Sequence, residues 1–154
     1  MAARETPATR ALRAAEVPFE VLEYAHDPKA EAYGSEAATA LGLDPETVLK
    51  TLVVDVDGAL TVCLVPAEAQ LDTRSLGKRV ALAPPQRAEK VTGMVTGGIS
   101  PFGQRRRLPT LVDESAFAHP TVHVSGGRRG LEIAIAPADL ERVTGAERRS
   151  LAKM

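Results

Sequence analysis

A predicted β-hairpin near the middle of the chain constrains the fold more than any other feature of the sequence. Residues 51–56 and 59–65 are rich in β-branched and aliphatic side chains, and the dipeptide Asp57-Gly58 joins them. Asp-Gly suits the two-residue type I′ turn, whose central residues both need a positive φ. With those two residues as the loop, the sequence predicts that Leu52 lies opposite Cys63.

The predicted hairpin is apolar on both faces. One face carries Leu52, Val54, Val56 and Cys63, and the other carries Val53, Leu60, Val62 and Leu64. Strands of this kind are typical of sheets that are covered on both sides. We therefore expect the hairpin at the centre of a sheet.

The rest of the chain mixes short helices with short strands. Further strands are predicted at residues 19–24, 80–83, 108–112, 121–124 and 131–135. Helices are predicted at residues 7–15, 35–41, 44–50, 72–76, 85–90 and 137–143, with Thr6, Ser35 and Asp72 as caps of the first, second and fourth. This mixture favours an α+β fold with a curved, mainly antiparallel sheet over a doubly wound parallel one.

The 154 residues are the usual length of one domain, so we expect a single domain over residues 1–154. The net charge of −1 does not indicate a nucleic-acid partner, and any RNA contact would come from local patches. No apolar run approaches the roughly 18 to 20 residues of a membrane helix, and the first residues lack the apolar core of a signal peptide. We expect a cytoplasmic protein without a membrane partner.

Metal binding and nucleophilic catalysis by the protein find little support in the sequence. The single cysteine, Cys63, excludes a multi-thiolate metal site, and the three histidines lack ligand spacing, so we expect no cofactor. Cys63 lies in a run of Val and Leu, where a cysteine behaves as a small buried hydrophobe. No GxSxG sequence supports a Ser/His/Asp arrangement, for which the candidates would be Ser100 or Ser125 with His26, His119 or His123.

A glycine-rich segment at residues 97–103, Gly-Gly-Ile-Ser-Pro-Phe-Gly, is the most unusual stretch of the chain. Three glycines and a proline in seven residues favour neither helix nor strand. Clustered glycine amides suit a carboxylate, a phosphate or a developing oxyanion, because no Cβ blocks a close approach. A tight surface turn is the alternative interpretation.

A second glycine-rich turn, Ser-Gly-Gly-Arg-Arg-Gly, covers residues 125–130 between two predicted strands. Five arginines lie in or beside the two loops, namely Arg105, Arg106, Arg107, Arg128 and Arg129. If the loops meet in space, these side chains could contact an RNA backbone. A simple hairpin loop with solvated charge is the alternative.

Lys50 stands where a predicted helix leads into the buried hairpin. Its aliphatic stem can lie along apolar surface while its ammonium group emerges at the rim of the sheet. An ordinary solvated lysine is the alternative.

Four segments form an ordered set of motifs along the chain. They are YAHDP at 24–28, VLKTLVV at 48–54, GGISPFGQRRRLPT at 97–110 and VSGGRRGLEI at 124–133. Together they resemble the YbaK/EbsC family of aminoacyl-tRNA deacylases, and the likeness runs from about residue 6 to about residue 140.

The resemblance implies a mixed, barrel-like sheet with flanking helices, as in the editing domain inserted in some bacterial prolyl-tRNA synthetases. It also implies removal of cysteine from tRNA(Pro), because a proline pocket cannot strongly exclude cysteine of similar size. The expected partners are Cys-tRNA(Pro) and prolyl-tRNA synthetase. A deacylase for another mischarged tRNA, such as Ala-tRNA(Pro), and a noncatalytic module that binds RNA or an aminoacyl group are the alternatives.

The resemblance also implies roles for single residues. Lys50 matches the family's essential lysine, Tyr24 its pocket tyrosine and Gly97 the first glycine of its GGxSP loop. Glu132 matches an acidic position at which Asp is common in the family. The remaining expected substrate contacts are Gly98, Ser100 and Pro101, and the expected tRNA contacts are Arg105, Arg106, Arg107, Arg128 and Arg129.

The mechanism implied by the resemblance needs no protein nucleophile. The thiolate of the substrate cysteine attacks its own ester carbonyl and expels the tRNA, so the activity is that of a hydrolase or resembles that of a lyase. Lys50 would hold the 3′ end of the tRNA or favour the thiolate, and the Gly97 and Gly98 amides would hold the carbonyl oxygen.

Overall fold

The computed structural model describes residues 5–26 and 33–153, and its elements within these residues are as follows. The helices are α1 (Pro7–Ala14), α2 (Tyr33–Leu41), α3 (Pro85–Thr92) and α4 (Pro137–Thr144). The strands are β1 (Glu20–Glu23), β2 (Leu49–Val56), β3 (Ala59–Pro66), β4 (Gln70–Leu71), β5 (Val80–Leu82), β6 (Thr110–Asp113), β7 (Val122–Ser125), β8 (Leu131–Ile135), β9 (Glu147–Arg149) and β10 (Ala152–Lys153). Short 3-10 helices cover Pro45–Thr47, Thr73–Ser75 and Glu114–Ala118.

The main sheet has five strands in the order β5-β2-β3-β6-β9. Strand β2 pairs antiparallel with β3 and β5, whereas β6 pairs in parallel with β3 and β9. A second sheet has the order β1-β8-β7, and β4 pairs with β10, all antiparallel. The predicted α+β fold is therefore confirmed. The pairings among the described residues close no barrel, so the barrel-like form of the sheet stays a prediction.

The central hairpin is confirmed in register, turn and burial. Leu52 pairs with Cys63, and Asp57 and Gly58 have φ values of 49° and 93°, as a type I′ turn requires. The main core covers one face of the hairpin. A smaller group, which we call the Cys63 cluster, covers the other face and contains the buried residues Val54, Cys63, Val65 and Leu151.

Two local contacts bring the two larger sheets and α1 together. A parallel bridge between Val48 and His123 joins the start of β2 to β7. The Thr6 hydroxyl caps α1 by accepting the Thr9 N–H at 3.2 Å, and it donates to the Gly126 carbonyl at 2.6 Å. The start of α1 is thereby tied to the second glycine turn, which connects β7 to β8.

Some predicted boundaries were wrong because local propensity did not determine them. Helix α2 begins at Tyr33, so Ser35 lies inside the helix and is not its cap. The predicted helix at residues 44–50 is a 3-10 turn that ends at Thr47, and β2 begins at Leu49 because pairing with β3 extends to Pro66. Lys50 therefore lies within a strand.

The sequence also missed several short elements. Strands β4, β9 and β10 contain two or three residues each, and they are defined by partners distant in the chain. The predicted helix at residues 72–76 is the 3-10 turn Thr73–Ser75, with Asp72 as its cap. Of the motif that follows β1, Asp27 and Pro28 lie outside the described residues. Within the described part of the chain, none of the helices combines the length and the apolar character needed to cross a membrane.

Candidate functional site

A cavity of about 450 Å³ is lined by the four residues that the family resemblance most strongly indicated as site residues. Its wall contains Tyr24, Lys50, Gly97 and Glu132. Most of the remaining wall is aliphatic and includes Leu49, Leu52, Val53, Ala67, Leu82, Ala83, Pro85, Ala88 and Ile99. An apolar cavity with a few polar groups is typical of a small-ligand site.

The strands explain why distant residues share this cavity. Glu132 in β8 pairs with Ser125 in β7 and with Leu22 in β1. Tyr24 directly follows β1, and its N–H donates to the Gly130 carbonyl at 3.0 Å. The bridge from Val48 to β7 places the second sheet beside the start of β2, where Lys50 lies.

Glu132 is a buried acid with an unused oxygen. The residue is 5% exposed, and Oε2 has no hydrogen-bond partner among the described residues. Burial raises the pKa of the Glu132 carboxyl to about 8. A buried acid without a partner favours its neutral form, and a cationic ligand would favour the carboxylate. The arrangement therefore suits a ligand with an amine.

Lys50 brings a positive charge to the same wall. Burial lowers the pKa of its ammonium group below the usual value. Lys50 forms no ion pair with any of the described residues. A half-buried lysine of this kind can contact a phosphate, a thiolate or a carbonyl oxygen of a ligand.

The Tyr24 side chain is half-buried, and its phenol stays neutral at ordinary pH. Burial, and then the charges of Glu132 and Glu36, raise the pKa of the phenol to about 12. A neutral phenol can both donate and accept a hydrogen bond. Tyr24 can therefore orient a polar group of a ligand without adding charge to the cavity.

The two glycine loops meet, which was the condition left open by the sequence. A Cβ on Gly98 would lie 2.6 Å from the Arg128 Cα and 2.8 Å from the Arg129 nitrogen, so only glycine fits this close backbone approach. Arg129 Nε also donates to the Thr96 carbonyl at 2.7 Å. The turn at 125–130 thus packs directly on the loop that forms the cavity wall.

The Gly97 and Gly98 amides differ in whether their N–H groups already have an acceptor. The Gly98 N–H donates to the Val95 carbonyl at 2.8 Å, so it is not available to a ligand, contrary to the prediction from the sequence. The Gly97 N–H has no acceptor among the described residues, and Gly97 lies in the cavity wall with a φ of 87°. Of the Gly97 and Gly98 amides, only that of Gly97 therefore remains for an oxyanion in the described structure.

The structure places Ser100 and Pro101 outside the cavity wall. The Ser100 hydroxyl is fully buried and accepts the Phe102 N–H at 3.3 Å. Pro101 lines a separate cleft beside α1 and α4. Contact of Ser100 and Pro101 with a substrate therefore stays a prediction.

The five arginines have different surroundings. Arg105 donates to the Lys90 carbonyl in the last turn of α3, and Arg107 donates to the Thr144 carbonyl at the end of α4. Positive charge at helix C-termini is stabilising. Arg106 is exposed, and Arg128 lies 4.0 Å from a Glu23 carboxylate oxygen. Contact of these arginines with tRNA stays a prediction.

Two polar residues of the cavity wall, Thr51 and Thr96, were not predicted from the sequence. The Thr51 hydroxyl is buried without a hydrogen-bond partner in the described part of the chain. Thr96 directly precedes Gly97, which is the only sequence signal that could have indicated it. Ser125 also lines the cavity, and its hydroxyl accepts the Gly127 N–H at 3.3 Å.

The described residues form neither a serine–histidine pair nor a reactive cysteine at this site. Among the described residues, no hydrogen bond joins a serine to a histidine, and His123 instead contacts the Thr47 hydroxyl at 3.1 Å. Cys63 is fully buried outside the cavity wall, and burial raises the pKa of its thiol to about 11. The prediction that Cys63 behaves as a buried hydrophobe is confirmed.

Comparison with known proteins gives the class to which the chain belongs. A family profile described as an aminoacyl-tRNA editing domain matches residues 27–143. The chain therefore belongs to the family of aminoacyl-tRNA editing domains, and the resemblance found in the sequence is confirmed.

Individual relatives agree with this class. The chain is 29% identical over 150 residues to the "Putative Cys-tRNA(Pro)/Cys-tRNA(Cys) deacylase EbsC" of Enterococcus faecalis, and the match covers 94% of this chain and 91% of EbsC. The crystal structure of "a putative trans-editing enzyme for prolyl tRNA synthetase" is 28% identical with a TM-score of 0.83, over 97% of this chain and 99% of the other. Hypothetical protein APE2540 has the same fold, with a TM-score of 0.84 at 24% identity over 96% and 100% of the two chains.

Proposed function

We propose that this chain removes cysteine from Cys-tRNA(Pro), acting in the cytoplasm beside prolyl-tRNA synthetase. The observation that carries the proposal is the cavity and its mostly apolar wall. Three polar groups in that wall have no partner among the described residues: the Lys50 ammonium group, the Gly97 amide and one oxygen of the buried acid Glu132. An aminoacyl ester has a matching set of groups: a small side chain, an amine, a carbonyl oxygen and a nearby phosphate. The names of the relatives point to the same substrate class.

Glu132 is the proposed partner of the α-amino group. A cationic amine would satisfy the unused Oε2 and shift the carboxyl toward its charged form. Every aminoacyl-tRNA carries this amine, so the contact recognises the class of substrate and not the particular amino acid. Selectivity for cysteine then rests on the small apolar part of the cavity and on the substrate thiol.

Thiol chemistry of the substrate replaces a protein nucleophile in this proposal. The cysteine thiolate attacks the ester carbonyl carbon, so that a carbon–sulfur bond forms within the aminoacyl group. The ester bond to the ribose then breaks, and the ribose oxygen takes up a proton. Water opens the resulting β-thiolactone and releases cysteine. The Lys50 charge favours the thiolate, and the Gly97 amide stabilises the developing oxyanion.

A deacylation panel tests the proposed substrate. Release of amino acid is measured from tRNA(Pro) charged with cysteine, alanine, serine or proline. We expect fast release of cysteine and slow release of serine, because a hydroxyl forms far less of its anion near neutral pH than a thiol with a pKa of about 8.5.

The same panel separates the alternatives. Fast release of alanine would make the chain an Ala-tRNA(Pro) deacylase. Binding of charged tRNA without release of any amino acid would make it a noncatalytic module. Equal rates on the cysteine and serine substrates would remove the substrate thiol from the mechanism.

A further inference from the structure

We propose that Glu89 and Arg129 are positioning residues that hold Thr96 from both sides and thereby orient the Gly97 N–H for the ester carbonyl oxygen. The inference rests on the proposed function, because it concerns how the same cavity stabilises the oxyanion. It assigns to Arg129 a role in the loop, where the sequence indicated contact with tRNA.

Thr96 is held at three polar groups. Its N–H and its hydroxyl both donate to Glu89 Oε2 at 2.9 Å. Its carbonyl accepts a hydrogen bond from Arg129 Nε at 2.7 Å. These hydrogen bonds lower the pKa of the Glu89 carboxyl, and the Arg129 charge lowers it further, so Glu89 is ionised at neutral pH. Thr96 is therefore fixed between a carboxylate and a guanidinium group.

The Arg129 contact acts directly on the Gly97 amide. The Thr96 carbonyl and the Gly97 N–H belong to one planar trans peptide unit, in which the two groups point in opposite directions. A donor that fixes the direction of the carbonyl therefore fixes the direction of the N–H. A charged donor on the carbonyl also polarises the peptide unit and makes its N–H a stronger donor.

The orientation of the Thr96–Gly97 peptide unit is not fixed by Gly97 itself. Gly97 has no Cβ and lies at a φ of 87°, so its own conformational preference does not select one orientation of the unit. The next peptide unit is fixed differently, because the Gly98 N–H donates to the Val95 carbonyl. Among the described residues, the Gly97 N–H thus has no acceptor, while the Thr96 carbonyl before it and the Gly98 N–H after it are both held.

Single-turnover kinetics on Cys-tRNA(Pro) test the proposal. We expect Arg129→Ala to slow the chemical step about tenfold or more, but less than the about 10²- to 10³-fold cost of losing an oxyanion donor outright. Arg129→Lys should recover part of the rate because it keeps a charged donor. Arg142→Ala is the matched control, since Arg142 is exposed on α4 and pairs with Asp139, away from the cavity. Its rate should equal that of the wild type.

A role in RNA binding would give the opposite pattern. If Arg129 contacts a phosphate, its loss weakens tRNA binding and flattens the salt dependence of the Kd, with little change in the saturated rate. That result would overturn the proposal. A wild-type protein that releases no amino acid from any charged tRNA would instead overturn the proposed function.

Two further sets of variants separate positioning from general loss of structure. Thr96→Val removes one of the hydrogen bonds to Glu89, so it should slow the chemical step, and Thr96→Ser should restore it. In a double-mutant cycle, Arg129→Ala should add little to the defect of Gly97→Ala, because both act on the same amide. Additive effects in variants that unfold at the wild-type temperature would overturn the proposal.

Discussion

The cavity and the Cys63 cluster are two buried regions beside the same hairpin. They differ in whether a ligand can reach the ionisable side chain that each contains. In both regions burial opposes the charged form, since it raises the pKa of Glu132 to about 8 and that of Cys63 to about 11. The thiol is sealed among Val54, Val65 and Leu151, whereas Glu132 lies in a cavity wall with an unused oxygen. The two regions differ because Glu132 lines a cavity that a ligand can enter, and a perturbed group in a cleft is a candidate for a functional site.

The largest expected effect is the loss of the charge that Lys50 brings to the cavity. Lys50→Ala should slow deacylation by about a thousandfold or more, because a charged donor is stronger than the neutral donors whose loss costs about 10²- to 10³-fold. The single-turnover rate is measured with Lys78→Ala as a control, since Lys78 is exposed and does not line the cavity. Near wild-type turnover in a folded Lys50→Ala protein would place the chemistry elsewhere.

Gly97→Ala should come next, with its effect on the chemical step and not on binding. An alanine at a φ of 87° is strained, so the free amide would move. Loss of one oxyanion donor costs about 2.7 to 4 kcal/mol in the transition state. The comparison of the single-turnover rate with the Kd for charged tRNA checks this. An effect confined to the Kd would contradict the role of the amide.

Glu132→Gln should weaken substrate binding about 10- to 100-fold, as expected for a hydrogen bond to a charged amine. It should also remove a pH dependence of stability. The folded protein holds the Glu132 proton up to a pH of about 8, whereas the unfolded chain releases it near its usual pKa of 4.5. This stabilisation is therefore present below pH 4.5 and is lost as the pH rises toward 8, with a slope of at most about 1.4 kcal/mol per pH unit.

Urea unfolding at pH 5, 7 and 9 measures this difference. The free energy of unfolding of the wild type should fall between pH 5 and 9 more than that of Glu132→Gln. Identical pH profiles of the two proteins would show that Glu132 titrates as an ordinary surface acid. The comparison of Glu132 with Cys63 as two buried ionisable groups would then be wrong.

Replacement of Arg105, Arg106 and Arg107 by Ala should have a moderate effect on binding. If each contacts a phosphate of single-stranded RNA, the slope of log Kd against log salt falls by about 0.7 per arginine lost. Because Arg105 and Arg107 also donate to helix carbonyls, a small fall in thermal stability should accompany the change. An unchanged salt slope would leave these contacts as their main role.

The smallest effect on activity is expected in the Cys63 cluster. Cys63→Ala should keep the wild-type deacylation rate, because the thiol is sealed and stays protonated at neutral pH. Stability should fall by about 1 kcal/mol, as is usual for a buried large-to-small change. Loss of activity in a properly folded Cys63→Ala protein would make the buried thiol the nucleophile and would refute the substrate-assisted mechanism.

Local patterns in the sequence determined much of the molecule. The Asp57-Gly58 turn and the alternation around it predicted the hairpin, its register and its central place, because turn geometry and side-chain direction are short-range properties. The capping pattern Thr6-Pro7 likewise predicted α1 to within one residue at its end. The motifs indicated Tyr24, Lys50, Gly97 and Glu132, which share the cavity wall.

Only the tertiary structure decided which of these groups a ligand can reach. That the glycine loops meet, that the Gly98 amide is already used and that Ser100 is sealed all depend on packing between segments far apart in the chain. The hold of Glu89 and Arg129 on Thr96 joins residues that no local pattern relates. A sequence shows which groups are present, but burial and hydrogen bonding between distant segments determine which of them remain free.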